Sequence, residues 1–286
     1  MFVFKAAVVG AGTMGGEIAQ VIASAEIPVV LKDTEQEFLD RGLARARSLW
    51  QAQVDAGKLQ PAELERKLAL ISQTTDYAAF GDVDFVIEAV PEKMAIKQAV
   101  FSELDEVTPG HAILASNTSS LSITEMGEAT MRPDKVVGFH FFYPASVMRL
   151  IEVVESEDTT TQTAQTAVNF AQTIRKLPIR CGEAPGFVVN RILNAAASEL
   201  WHFQEETGIA PEEIDRVIVE SKAAPMGPFY LSDLLGLDTV TLVAQYLNES
   251  LGDRFFVHAR MRELVAAGDL GAKTGRGFYE HPGDSS

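Results

Sequence analysis

The run Val8-Val9-Gly10-Ala11-Gly12-Thr13-Met14-Gly15-Gly16 constrains the fold more than any other stretch of the chain. It follows residues 2–9, rich in the β-branched and aromatic side chains that favour a strand. It opens residues 17–25, where Ile18, Val21, Ile22 and Ala25 recur at helical spacing. A GxGxxG pattern alone is weak, but between a strand and a helix it predicts a dinucleotide-binding turn. Gly10 permits the tight turn, Gly12 lets the backbone approach a pyrophosphate, and Gly15 lets helix and strand pack closely. The N–H groups and positive dipole end of the helix then face the phosphates, with Thr13 and Met14 in the turn itself. A second strand, residues 27–32, ends at Asp33, about 20 residues beyond the glycines, where a carboxylate can accept hydrogen bonds from a ribose diol. The bland alternative is a Gly-rich turn beside an ordinary surface Asp.

At 286 residues the chain is too long for one mononucleotide-binding half and suits two domains. With 47% hydrophobic and 22% charged residues it has the composition of an ordinary globular protein. A net charge of −16 argues against nonspecific nucleic-acid binding and against adhesion to an anionic membrane. No apolar run is long enough for a transmembrane helix. A strand beginning at residue 2 leaves no room for a leader. The single Cys181 excludes an intramolecular disulfide and fits a reducing cytoplasm, which is the expected location. It ends an apolar strand-like segment and reads as a buried, inert thiol.

The first half alternates strand and helix. Helices are expected over 34–57, 61–70, 93–107 and 162–175, and strands over 83–90, 112–115, 135–139, 149–154 and 177–181. Repeated units of this length imply an α/β fold: a doubly wound, mostly parallel sheet covered on both faces. At Gly182-Glu183-Ala184-Pro185-Gly186 the character changes, and the rest reads as helical over 188–206, 211–221, 231–235, 238–250 and 260–267. The expected domains are therefore 1–183, Rossmann-type, and 184–286, all-helical. The Gly-rich tail 271–279 holds Lys273, Phe278 and Tyr279 and is expected to dock.

Crevices in doubly wound sheets open at the carboxyl ends of strands. Three such ends carry polar residues: Glu92 and Lys97 past one, Ser116-Asn117-Thr118-Ser119-Ser120 after the next, and His140 within Phe139-His140-Phe141-Phe142-Tyr143. A Ser/Thr/Asn cluster after a strand is more often a cap or turn. Lys97, five residues after Glu92, can face the cleft or be an ordinary solvated lysine. A lone histidine among phenylalanines is more often a satisfied core residue. Glu152 changes that balance, because period-2 alternation places it on the same face as Met148, Leu150 and Val154. A buried carboxylate needs a partner. His140, one short connection upstream, is the nearest one, and a carboxylate-oriented imidazole is what a general base needs.

These residues together resemble the L-3-hydroxyacyl-CoA dehydrogenases, including the short 3-hydroxybutyryl-CoA enzymes, and the resemblance runs essentially end to end. It rests on Gly10 to Gly15, Glu88-Ala89-Val90-Pro91-Glu92, Ser116 to Leu121, Gly138 to Phe142 and Val147 to Val153. It continues through Pro185 to Arg191, Pro225-Met226-Gly227-Pro228-Phe229 and Lys273 to Tyr279. The resemblance implies that His140 is the catalytic base, Glu152 its orienting carboxylate, and Ser119 and Asn190 contacts to the reacting oxygen or thioester region. It implies NAD as cofactor, with Asp33 on the adenosine ribose and Glu92, Lys97, Ser119 and Lys273 near the nicotinamide half. No metal site is expected. The family usually has Asn where this chain has Tyr143, so the Asn role is not carried over; Tyr143 reaches a different ligand atom or simply packs.

The implied substrate is an acyl-CoA thioester, its CoA phosphates met by the basic residues Arg41, Arg45, Arg47 and Lys58 on or just after the helix following Asp33. Each is by itself more often part of a solvated helix face. The implied activity is NAD-dependent oxidation of L-3-hydroxyacyl-CoA to 3-ketoacyl-CoA, in fatty-acid oxidation or short-chain acyl-CoA metabolism. The rivals are a dehydrogenase of a sugar acid or other free hydroxy acid, as in the gulonate dehydrogenase branch, and an NAD-binding protein without catalysis. The apolar residues of the helical half, among them Leu193, Trp201, Phe203, Leu234 and Leu235, predict a homodimer with that half as dimerisation and substrate-binding domain.

Overall fold

The computed structural model of the protein describes residues 2–281. In chain order the first part runs β1 (Ala6–Val9), α1 (Thr13–Ser24), β2 (Val29–Lys32), α2 (Gln36–Asp55), α3 (Pro61–Leu68), β3 (Ile71–Thr74) and β4 (Phe85–Glu88). It continues with α4 (Met94–Val107), β5 (Ile113–Ser116), α5 (Ile123–Gly127), β6 (Val136–Phe141), β7 (Leu150–Glu155), α6 (Thr161–Thr173) and β8 (Leu177–Gly182). The strands form one sheet in the order β3-β2-β1-β4-β5-β6-β7-β8. The first six are parallel, β7 is antiparallel to β6, and β8 is parallel to β7.

The chemistry of each strand matches its place. β1, β2, β4 and β5 are buried throughout, as strands covered on both faces must be. The reversal at β7 follows from length, because the connection 142–149 is shorter than the roughly dozen residues that a parallel crossover needs. β8 carries Pro178 and is partly exposed, which suits an edge strand. β3, at the other edge, was not expected from the sequence, and neither was α5. One apolar core under the sheet joins Ile18 and Ile22 of α1, Leu39 and Trp50 of α2, and Phe85, Phe139 and Phe141 of the strands. The direction of winding changes between β1 and β4, so the loops after these strands flank the switch point where such sheets bind ligands.

The chain divides after Glu183 into two compact units. The second is helical: α7 (Val189–Thr207), α8 (Pro211–Glu220), α9 (Pro228–Leu235), α10 (Leu237–Leu251) and α11 (Ala259–Ala267). Its own core holds Trp201, Phe229, Leu237, Met261 and Leu264. The tail docks through two buried carboxylates. Asp233 accepts from the Phe278 and Tyr279 N–H groups and meets His281 Nε2 at 2.8 Å, while Asp215 accepts from the Tyr279 hydroxyl. Among the described residues no helix is long and apolar enough to cross a membrane.

Candidate active site

The glycine turn is built as its sequence demands. Gly10 adopts φ +101, and a Cβ there would lie 2.5 Å from the Ala89 carbonyl oxygen, so the loops after β1 and β4 touch backbone to backbone. A Cβ on Gly15 would fall 1.8 Å from the Gly10 carbonyl oxygen, whereas one on Gly12 would meet nothing within 4 Å. Gly12 begins α1 with no side-chain cap, leaving the first-turn N–H groups for an anion. Asp33 closes the turn: Oδ2 accepts from Ala11 N at 2.6 Å and Oδ1 from Thr34 N at 2.7 Å. An uncapped helix start, an open Gly12 and a carboxylate at the end of β2 fit a dinucleotide. Thr13 and Met14 are the first residues of α1.

Past β4 the structure adds what sequence did not reveal. Lys97 is no solvated lysine. It is 1% exposed, and its ammonium lies 2.8 Å from Glu88 Oε1 and 3.1 Å from Glu92 Oε2. Glu88, fully buried, also accepts from Ser116 Oγ at 2.6 Å. Glu92 Oε1 in turn accepts from Thr118 Oγ1 at 2.5 Å and from Ser119 N at 3.2 Å. Glu92, Lys97 and Ser119 are thus one connected group. Glu88 is its hidden member: a glutamate ending an apolar strand was the available signal.

His140 and Glu152 face each other directly in the antiparallel β6–β7 pair. Nδ1 of His140 lies 2.8 Å from Glu152 Oε2, with the carboxylate fully buried and the imidazole 7% exposed. Phe139, Phe141, Ile151 and Val153 alternate onto the opposite face and enter the core. The Phe142 ring lies 4.6 Å from the imidazole. The side-chain oxygen of Asn117 accepts from Phe141 N at 2.9 Å, fastening the Ser119 loop to the strand that carries His140.

Three of the basic residues expected to meet CoA lie beside carboxylates. Arg45 donates to buried Glu17, Nη2 to Oε1 at 2.6 Å, and this bond, aided by nearby Tyr143, raises its pKa above the ordinary guanidinium value. Arg47 pairs with Glu65, and Arg41 lies beside Glu37. Trp50 Nε1 donates to Ser24 Oγ at the far end of α1, so α2 runs beside α1 away from the glycine turn. Lys58 is exposed and lies between α2 and α3. Tyr143 is exposed and stands in the turn after β6.

In the helical unit, Asn190 lies in the first turn of α7. Lys273 pairs closely with Asp238 at the start of α10, and Asp238, despite partial desolvation, stays below the usual carboxylate range through that contact. Trp201, Leu237 and Phe255 are buried within the unit, while Leu193, Phe203, Leu234 and Leu235 are exposed.

Comparison with known proteins places these features in a family. The model for the NAD-binding domain of 3-hydroxyacyl-CoA dehydrogenase matches residues 5–184, and that for the C-terminal domain of the same enzyme matches residues 186–281. The chain is 41% identical to a 3-hydroxybutyryl-CoA dehydrogenase of Clostridioides difficile, covering 97% of this chain and 99% of that one. It is 40% identical to a probable 3-hydroxybutyryl-CoA dehydrogenase of Deinococcus radiodurans, covering 97% and 100%. The crystal structure of (S)-3-hydroxybutyryl-CoA dehydrogenase from Ralstonia eutropha superposes with a TM-score of 0.94 at 36% identity, covering 98% of this chain and 100% of that one.

Proposed function

The chain belongs to the 3-hydroxyacyl-CoA dehydrogenase family, and from that premise we propose that His140 is the general base of its reaction and Glu152 the group that orients it. The enzyme is an NAD-dependent oxidoreductase acting on 3-hydroxyacyl-CoA. The observation that carries the assignment is the 2.8 Å contact between His140 Nδ1 and a fully buried Glu152 carboxylate. With the Nδ1 proton held by Glu152, Nε2 is the basic nitrogen, and it takes the proton of the 3-hydroxyl as C3 becomes a carbonyl. Glu152 also stabilises the imidazolium that forms. NAD, when bound, supplies the hydride acceptor. Ser119 holds the substrate oxygen, and Asp33 accepts from the adenosine ribose diol while disfavouring a 2′-phosphate there. In the reverse direction the protonated His140 returns its proton to the 3-oxygen.

The substrate is a short L-3-hydroxyacyl-CoA such as 3-hydroxybutyryl-CoA, in fatty-acid or short-chain acyl-CoA metabolism. Relatives of that name at about full mutual coverage support it, as does the Phe142 wall beside His140. Arg45, beside Tyr143, and exposed Lys58 are the candidates to meet the CoA moiety. Exposed Leu193, Phe203, Leu234 and Leu235 support a homodimer through the helical unit, and the single cysteine and acidic charge suit the cytoplasm without nucleic-acid or membrane partners. The deciding assay compares 3-hydroxybutyryl-CoA with longer thioesters and with free 3-hydroxybutyrate. Turnover of the thioester and none of the free acid is expected; equal turnover of the free acid would overturn the substrate class.

A further inference from the structure

We propose that Glu88 is a positioning residue for this reaction, setting the place of the Ser119 loop through Lys97, Glu92 and Ser116. The inference rests on the reading of Ser119 given above.

Glu88 ends β4 with its carboxylate fully buried. Both oxygens are occupied by donors from three parts of the chain. Lys97 Nζ, from α4, lies 2.8 Å from Oε1 and 3.0 Å from Oε2. Ser116 Oγ, at the end of β5, donates to Oε2 at 2.6 Å, and Val90 N donates to Oε1 at 2.7 Å. For stability alone an apolar side chain would serve as well at such a position, since a buried ion pair gains little net free energy over a well-packed apolar group. What the carboxylate provides is geometry.

Two routes lead from it to Ser119. In the first, Ser116 Oγ, while donating to Glu88, accepts from Thr118 N at 3.2 Å. In the second, the Lys97 ammonium is shared with Glu92, whose other oxygen accepts from Thr118 Oγ1 and from Ser119 N. Thr118 Oγ1 also accepts from Leu121 N at 2.9 Å, closing the turn. One ammonium is thus divided between two carboxylates, and the half-exposed one holds the loop. If Glu88 releases its share, Lys97 swings to Glu92 and draws it off Thr118 and Ser119. The Asn117 contact to Phe141 fastens the same loop to the strand of His140, so a displaced loop is displaced relative to the base.

Glu88→Gln keeps the size but leaves one acceptor oxygen for three donor groups and turns an amide N–H₂ toward a donor. The test is steady-state kinetics with 3-hydroxybutyryl-CoA and NAD on Glu88→Gln, Ser119→Ala and their combination, beside thermal unfolding of each. A displacement of about 1 Å at the reacting oxygen lowers kcat roughly 10–100-fold, with KM for the thioester within about threefold. The double variant is then scarcely worse than the poorer single one, because Glu88 acts through Ser119. If Glu88→Gln does not fold, Ser116→Ala, which cuts one route only, gives a smaller loss of kcat with the same non-additivity. Unchanged kcat in a folded Glu88→Gln, or independent losses in the double variant, overturns the proposal while an impaired Ser119→Ala leaves the reading of Ser119 standing. An unimpaired Ser119→Ala overturns both.

Discussion

Two glycines of one motif should fail in opposite ways when given a methyl group. On Gly15 the added carbon would sit 1.8 Å from the Gly10 carbonyl oxygen, where ordinary contacts begin at 3.4 Å, so α1 and the turn must separate by roughly 1.6 Å. Both sides of the clash are backbone, and no side chain can rotate away. Overpacking of this kind costs about 1–3 kcal/mol, or roughly 2–12 °C in Tm for a unit of this size. On Gly12 the methyl meets no protein atom within 4 Å, and φ −64, ψ −170 is open to any L-residue. Gly12→Ala should therefore keep its Tm, or gain slightly from a stiffer unfolded chain. It should nonetheless weaken NAD, because the methyl stands where a pyrophosphate must approach; a clash of about 1.4–2.8 kcal/mol is a 10–100-fold loss in Kd. Thermal unfolding without NAD and calorimetric titration with NAD separate the two effects. A Gly12→Ala protein with a Tm loss like that of Gly15→Ala, or with wild-type NAD affinity, would refute the assignment of one glycine to packing and the other to the ligand.

Two further predictions concern titration. His258 is 2% exposed, and burial lowers its pKa, so the native state holds the neutral ring, with Nδ1 accepting from Met261 N and Nε2 against Gln204. The stability this contributes is complete above the unfolded pKa of about 6.5 and is lost as pH falls below it toward the folded value, at up to about 1.4 kcal/mol per pH unit. His258→Asn can still cap α11 but cannot titrate, so its Tm should fall less than the wild type's between pH 6.5 and pH 5; parallel curves would contradict this. Burial, with Glu152 and Glu155 adding to it, pushes the Cys181 thiol up to about 11. At pH 8 only about 0.1% is thiolate, so alkylation of the native protein should run at least roughly 100-fold slower than after denaturation; equal rates would show the thiol to be accessible and reactive.

Much of the fold was legible because its signals are local. A strand, a glycine turn and a helix follow one another within residues 6–24, and each identifies the next. β3 was missed because only Ile71 of its four residues is buried, so neither an apolar run nor alternation marks it. α5 is too short for a helical period to show. Alternation was enough to put Glu152 on a buried face, but its direct opposition to His140 depends on how the 142–149 connection closes, which no local pattern fixes. Lys97 could be placed near the crevice from its spacing to Glu92. Its capture by Glu88 could not be read, since that contact joins the end of a strand to the helix beyond it. The partners of the basic residues near α2 could not be read either, since Arg45 meets Glu17 of α1 and Arg47 meets Glu65 of α3. Arg45 also lies near Tyr143, which no local pattern joins to α2.

The central claim is that His140 and Glu152 act as one base, and a double-mutant cycle on kcat tests it most directly. Glu152→Gln preserves shape and should leave NAD affinity intact while lowering kcat by roughly 10²–10⁴-fold, the scale of general-base catalysis. His140→Ala should cause a similar loss. The combined variant should be scarcely slower than the slower single one, because removing the orienting carboxylate matters only while there is an imidazole to orient. Losses that multiply in the double variant, or a Glu152→Gln enzyme that loses stability but keeps its turnover, would show that the pair is a buried ion pair of the sheet and that the base lies elsewhere.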